Sequence, residues 1–101
     1  SFGDIGAGWS KLYLAYENTA TVGAVTINKA AGRVNIAAAG TSVVVTNSLV
    51  TAASKVFAVI SQNDTTAVIK NVVPAAGSFT ITLNAATTAQ TSIDFFVINA
   101  D

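Results

Sequence analysis

Five side-chain carboxylates, Asp4, Glu17, Asp64, Asp94 and Asp101, are the residues of this chain that could do acid or base chemistry. Cleavage of a glycosidic bond needs two of them facing one another about 5–10 Å apart. Glu17 with Asp94 is the pair to consider, as the acids of a small glycan hydrolase, and nothing in their spacing supports it. Asp94 lies within Ser92-Ile93-Asp94-Phe95-Phe96. There it is expected to face outward or to pair with a lysine or arginine, because a buried unpaired carboxylate is costly. The chain has no histidine and no cysteine. That removes the commonest general base and metal ligand, and with them thiol chemistry, zinc thiolates and disulfides. No catalytic residue, metal site or cofactor is assigned. Gln62-Asn63-Asp64-Thr65 could offer oxygens to calcium, but it holds one carboxylate, and a polar tight turn accounts for the same residues. Asn63-Asp64-Thr65 also matches the N-glycosylation triplet. Gly3, Gly6 and Gly8 do not make a phosphate loop, since no strand precedes them and no lysine is in register.

The other chemistry on offer is aromatic. Trp9, Tyr13 and Tyr16 cluster near the start of the chain. Flat rings with an apolar face and a polar edge could stack on a sugar. The same rings in a strand with leucines are also expected where a lead-in strand packs on the body or on a neighbouring chain.

Positioning any of these groups falls to a single small domain of 101 residues. Hydrophobic residues make up 51% and charged residues 10%, with a formal net charge of zero. An ordinary domain carries roughly 25% charged residues. So little charge leaves Ala, Val, Thr, Ser and Asn to cover the surface, and apolar patches go unbroken. Much of that surface is therefore expected to be hidden between copies of the chain. Scattered Lys11, Lys29, Arg33, Lys55 and Lys70 give no electrostatic footprint for nucleic acid. The uncharged stretches 34–54 and 71–93 are broken by Asn, Gly, Pro and many hydroxyls, so neither is expected to insert in a membrane. The chain lacks methionine, which predicts a fragment or a processed product; residues 1–14 do not have the pattern of a signal peptide.

The period of the apolar residues is two. Phe79, Ile81 and Leu83 alternate with Ser78, Thr80 and Thr82, as in a strand with one dry face. Pro74-Ala75-Ala76-Gly77 precedes them and predicts a three-to-five-residue hairpin loop that pairs residues 66–73 with 78–83. The same Ala-Ala-Gly device precedes residues 33–37 and 41–46, and is expected to place a residue at positive φ in a short loop each time. Further strands are predicted over residues 9–17, 24–28, 55–61 and 92–99. Residues 18–23 are expected to be a polar connection. Residues 47–54 are expected to be a loop or one helical turn with Leu49 and Val50 tucked under the sheet. Residues 84–90 read as a loop. The fold class is all-β: a small antiparallel, jelly-roll-like sandwich of seven to eight short strands. Residues 1–21 would be an extended lead-in and 22–101 the sandwich module. Strands 55–61 and 92–99 are apolar on both faces, so Phe57, Val59, Phe96 and Ile98 are the expected subunit contacts.

Two stretches resemble a known family. Gly6-Ala7-Gly8-Trp9-Ser10-Lys11-Leu12-Tyr13-Leu14 resembles a segment of bacteriophage tail fibres and tailspikes that leads from a shaft into the next module. Gly32-Arg33-Val34-Asn35-Ile36, Thr41-Ser42-Val43-Val44-Val45-Thr46-Asn47, Phe57-Ala58-Val59 and Val73-Pro74-Ala75-Ala76-Gly77-Ser78-Phe79-Thr80-Ile81 resemble C-terminal β-sandwich modules of such proteins. The resemblance implies a homotrimer in the virion tail, a module that joins three chains or caps the tip, and contact with bacterial surface glycans. Fibre-tip glycan enzymes carry their acids on a preceding β-helix, which this chain lacks, so depolymerase activity is expected only of a parent protein.

Overall fold

In the computed structural model the described residues are 15–99. They form eight strands: β1 (Tyr16–Val22), β2 (Val25–Thr26), β3 (Ala31–Ile36), β4 (Ser42–Thr46), β5 (Lys55–Ile60), β6 (Ile69–Ala75), β7 (Ser78–Leu83) and β8 (Thr91–Ile98). No helix occurs among the described residues. The strands lie in two four-stranded sheets, ordered β1-β3-β8-β5 and β2-β4-β7-β6. The all-β sandwich expected from the period-two pattern is what forms.

Its connections differ from the expectation. Up to β6 the chain changes sheet at every strand, so β6–β7 is the one hairpin joining sequence neighbours among the described residues. Returning to a sheet after a visit to the other makes β1–β3 and β2–β4 parallel, while the other four pairings are antiparallel. The sheets are therefore mixed. The strand expected over residues 9–17 lies mostly outside the described residues, and residues 18–22, expected to be a connection, belong to β1. Its Thr and Asn positions suit an edge strand, where little of the chain is buried.

The β6–β7 hairpin is tighter than expected. Ala75 pairs with Ser78, leaving two residues at the tip, with Gly77 at φ +81. Pro74 sits inside β6, which its place at the edge of the second sheet allows. The other two Ala-Ala-Gly copies serve other ends. At the second, positive φ falls on Ala39. At the first, Gly32 lies inside β3 and is there for space: a Cβ would meet Glu17 O at 2.9 Å, Ile27 Cγ2 at 3.0 Å and Phe95 Cε2 at 3.1 Å. Residues 61–68 do not make a tight turn either, because they carry the chain from one sheet to the other.

The dry layer is built from alternate residues. Phe79, Ile81 and Leu83 of β7 are buried and face Val34, Ile36, Ile93 and Phe95 of the first sheet, with Ile27, Val43 and Val45. Phe79 and Phe95 meet edge to face across the layer, centroids 4.9 Å apart. Val50 is buried as expected, whereas Leu49 is exposed. Gly77 N donates to Val50 O and Asn47 N to Gly77 O, so the 47–50 loop is tied to the hairpin tip. The buried Asn47 donates to Lys29 O and accepts from Leu49 N.

Gly32→Ala should lower stability by about 1–3 kcal/mol through overpacking. Gly77→Ala has open space around it and should cost only ~1–2 kcal/mol, from its backbone conformation. Urea unfolding of the two variants checks both values, and a Gly32→Ala variant as stable as the parent would contradict the close approach at Gly32.

Candidate functional site

Strand alternation decides which side chains the first sheet turns away from the core. Ile93, Phe95 and Val97 point inward, so Asp94, Phe96 and Ile98 point outward. On β5, Val56, Ala58 and Ile60 pack on the core and Phe57 and Val59 stand outside. Register then sets outward residues side by side: Phe57 opposite Phe96, Val59 opposite Asp94, and Arg33 of β3 on the other flank of Asp94. The four residues expected to make subunit contacts thus share one face.

Phe57 and Phe96 stack with centroids 5.0 Å apart and an interplanar angle of 10°. Phe57 keeps 51% of its surface exposed and Val59 61%. A shallow hollow of about 170 Å³ lies there, lined by Phe57, Ala58, Val59, Asp94, Phe95 and Phe96.

Asp94 is the polar centre of this face. Arg33 Nε donates to Oδ1 and Nη2 to Oδ2, each at 2.9 Å, a bidentate pair. Tyr16 Oη donates to Oδ1 at 2.9 Å, and Ser61 Oγ donates to Oδ2. The expectation that Asp94 faces outward or pairs with a basic residue is met on both counts. The Arg33 guanidinium, with help from Ser61 and Tyr16, holds the Asp94 carboxyl down at about 2 against some opposing desolvation. Partial burial, then the neighbouring Asp94 carboxylate, pushes the Tyr16 phenol up.

Glu17 does not join Asp94. Glu17 pairs with Gly32, whose neighbour Phe95 points into the core, whereas Tyr16 shares the outer face with Asp94. The two carboxylates lie on opposite faces of one sheet and cannot flank one bond. Asp64 is likewise occupied. Oδ1 accepts from the backbone N–H groups of Thr66 and Ala67, and Oδ2 accepts from the N–H and hydroxyl of Thr88. Those donors hold its carboxyl well below the usual carboxylate range. The side chain fastens the 61–68 loop to the loop before β8, and its lone pairs face donors rather than a cation. No cluster of three potential metal ligands occurs among the described residues.

Of the proposed sugar-stacking rings, Trp9 and Tyr13 lie outside the described residues. Tyr16 is half exposed, and its hydroxyl is engaged by Asp94. Sequence reasoning missed Arg33 and Ser61 as partners of Asp94. Arg33 is the chain's single arginine, a signal that was available, but its pairing depends on a register between strands about sixty residues apart. Comparison with known proteins finds no similar family model, curated protein or solved structure.

The depressed carboxyls have a consequence for acid stability. A group whose folded pKa lies below its unfolded value of about 3.9 stabilises the fold above that pH and stops doing so as pH falls through the folded value. The contribution of Asp94 should be full above about pH 4 and fade towards about pH 2. In urea titrations from pH 6 to 2, Asp94→Asn should start with a lower midpoint and lose less of it on acidification than the parent. Parallel curves would remove Asp94 from the acid response.

Proposed function

We propose that this chain is a structural module of a bacteriophage tailspike or tail fibre that holds three copies together in the virion tail and supports host attachment. The observation that carries the self-assembly is the outer face of the first sheet. Phe57, Val59, Phe96 and Ile98 form an apolar surface on it, with one internally neutralised ion pair and no free charge at its centre. Single exposed apolar residues are ordinary, but a contiguous set on a flat sheet face marks a contact surface. The phage assignment draws on the resemblance of the Trp9 segment and of the Val- and Thr-rich strands. Recognition of a bacterial surface glycan is the second reading. Tyr16 favours it, as an exposed ring beside Asp94 and Arg33.

Light scattering at micromolar concentration should give a trimer, and Phe57→Glu should shift it to monomer with unchanged far-ultraviolet circular dichroism. A parent chain that stays monomeric would defeat the self-assembly reading. Binding of the parent, but not of Tyr16→Ala, to an array of bacterial polysaccharides would move the assignment to the glycan reading.

A further inference from the structure

A sheet edge is a row of unpaired backbone groups, and proteins usually spoil it. Three of the four edges here are spoiled. β2 has two residues, β6 carries Pro74 and an irregularity between Ile69 and Asn71, and β1 is irregular beyond Asn18. β5 is the exception: six residues, no proline, and unbroken pairing with β8. Ser61 N donates to Ser92 O at 3.0 Å, so Ser61 turns its N–H towards β8, while Ser92 N donates to Gln62 Oε1. Antiparallel pairs alternate, and by that count Val56, Ala58 and Ile60 turn their N–H and C=O groups away from β8. Among the described residues no backbone group bonds to that edge. A groove of about 380 Å³ borders its second half, lined by residues 58–60 and 67–69 and by the polar Gln62, Asn63 and Asp64.

We infer that the free edge of β5 takes a strand from a second copy of this chain, namely the regular start of β1, Tyr16 to Asn18. This rests on the self-assembly proposed above and names the contact that makes it. β1 and β5 are the two outer strands of one sheet, at opposite ends of it. An edge-to-edge contact between them is head to tail, the kind that closes into a ring, whereas β5 against β5 would make a two-fold dimer. Direction agrees. β1 runs parallel to β3, and β3 and β5 both run antiparallel to β8, so β1 and β5 point the same way. Rotation about an axis along the strands keeps that direction and makes the new pairing parallel. Side chains agree as well. Tyr16 and Phe57 are 50% and 51% exposed on the same face of the sheet. Set side by side, they extend the Phe57–Phe96 stack, and Asn18 of one copy then falls beside Val59 of the next.

The chain's lack of cysteine makes the test clean. Within one chain, positions 18 and 59 are separated by β3 and β8, roughly 14 Å across the sheet. That is beyond the ~7 Å Cα limit for a disulfide. Mild oxidation of Asn18→Cys/Val59→Cys should give covalent dimers and trimers on non-reducing gels, while either single variant should not. Ala58→Pro, which removes an edge N–H and leaves the β8 ladder intact, should weaken assembly at least tenfold with unchanged circular dichroism. Should that variant fail to fold, the cysteine pair decides. Cross-linking of Val59→Cys alone would mean β5 against β5 and overturn the inference. A trimer by light scattering with no cross-link in the double variant would overturn the edge contact and leave self-assembly standing. A monomer would overturn both.

Discussion

A two-layer sandwich can hide only one face of each strand. That constraint governs this chain, because β5 and β8 are apolar on both. Val56, Ala58, Ile60, Ile93, Phe95 and Val97 supply the dry face, and Phe79 reaches across to Phe95 to fill the layer. Phe57, Val59, Phe96 and Ile98 have no place in it. Sliding β8 by one residue would not help, since it would bring Asp94 inward and turn Phe95 out. The outward apolar face is thus a consequence of a good core.

Asp94 is what makes that face tolerable to cover. A carboxylate under a contact is costly when a lone pair or a net charge is left over. Here both oxygens are engaged, by Arg33, Tyr16 and Ser61, and the pair is neutral. These partners come from β3, β1 and the end of β5, so one side chain ties β8 to both of its neighbours and to the outer strand beyond β3. The carboxylate that faces away from Glu17 thus fixes the geometry of the surface.

What the sequence made legible was local. The alternation in β7, the two-sided character of β5 and β8, and the glycine at the hairpin tip each follow from a few neighbouring residues. What stayed hidden was pairing at long range. Three Ala-Ala-Gly copies look alike in sequence, yet one turns a hairpin, one puts positive φ on Ala39, and one clears room for Phe95 inside a strand. The difference lies in what crosses overhead, which spacing cannot report. β1 was missed because an edge strand of Thr and Asn buries little and shows no period. Arg33 and Asp94 were each visible, but only the β3–β8 register makes them partners.

Strand spacing also limits how such a face could be covered. A four-stranded sheet is roughly 14–19 Å wide at about 4.8 Å per strand. Three such sheets joined edge to edge would form a triangular tube whose walls stand about 4–6 Å from its axis, half the usual ~10 Å between packed sheets. That depth admits one layer of side chains. Phe57, Val59, Phe96 and Ile98 are of that size, a neutral Arg33–Asp94 pair could sit among them, and the charged Lys55 stands at the end of the face, opposite Ile98. With two copies the tube flattens and the edges no longer meet. With many, the centre opens to water and the apolar face stays wet. The self-assembly proposed above would thus suit three copies better than two or many, on sheet width and side-chain length alone.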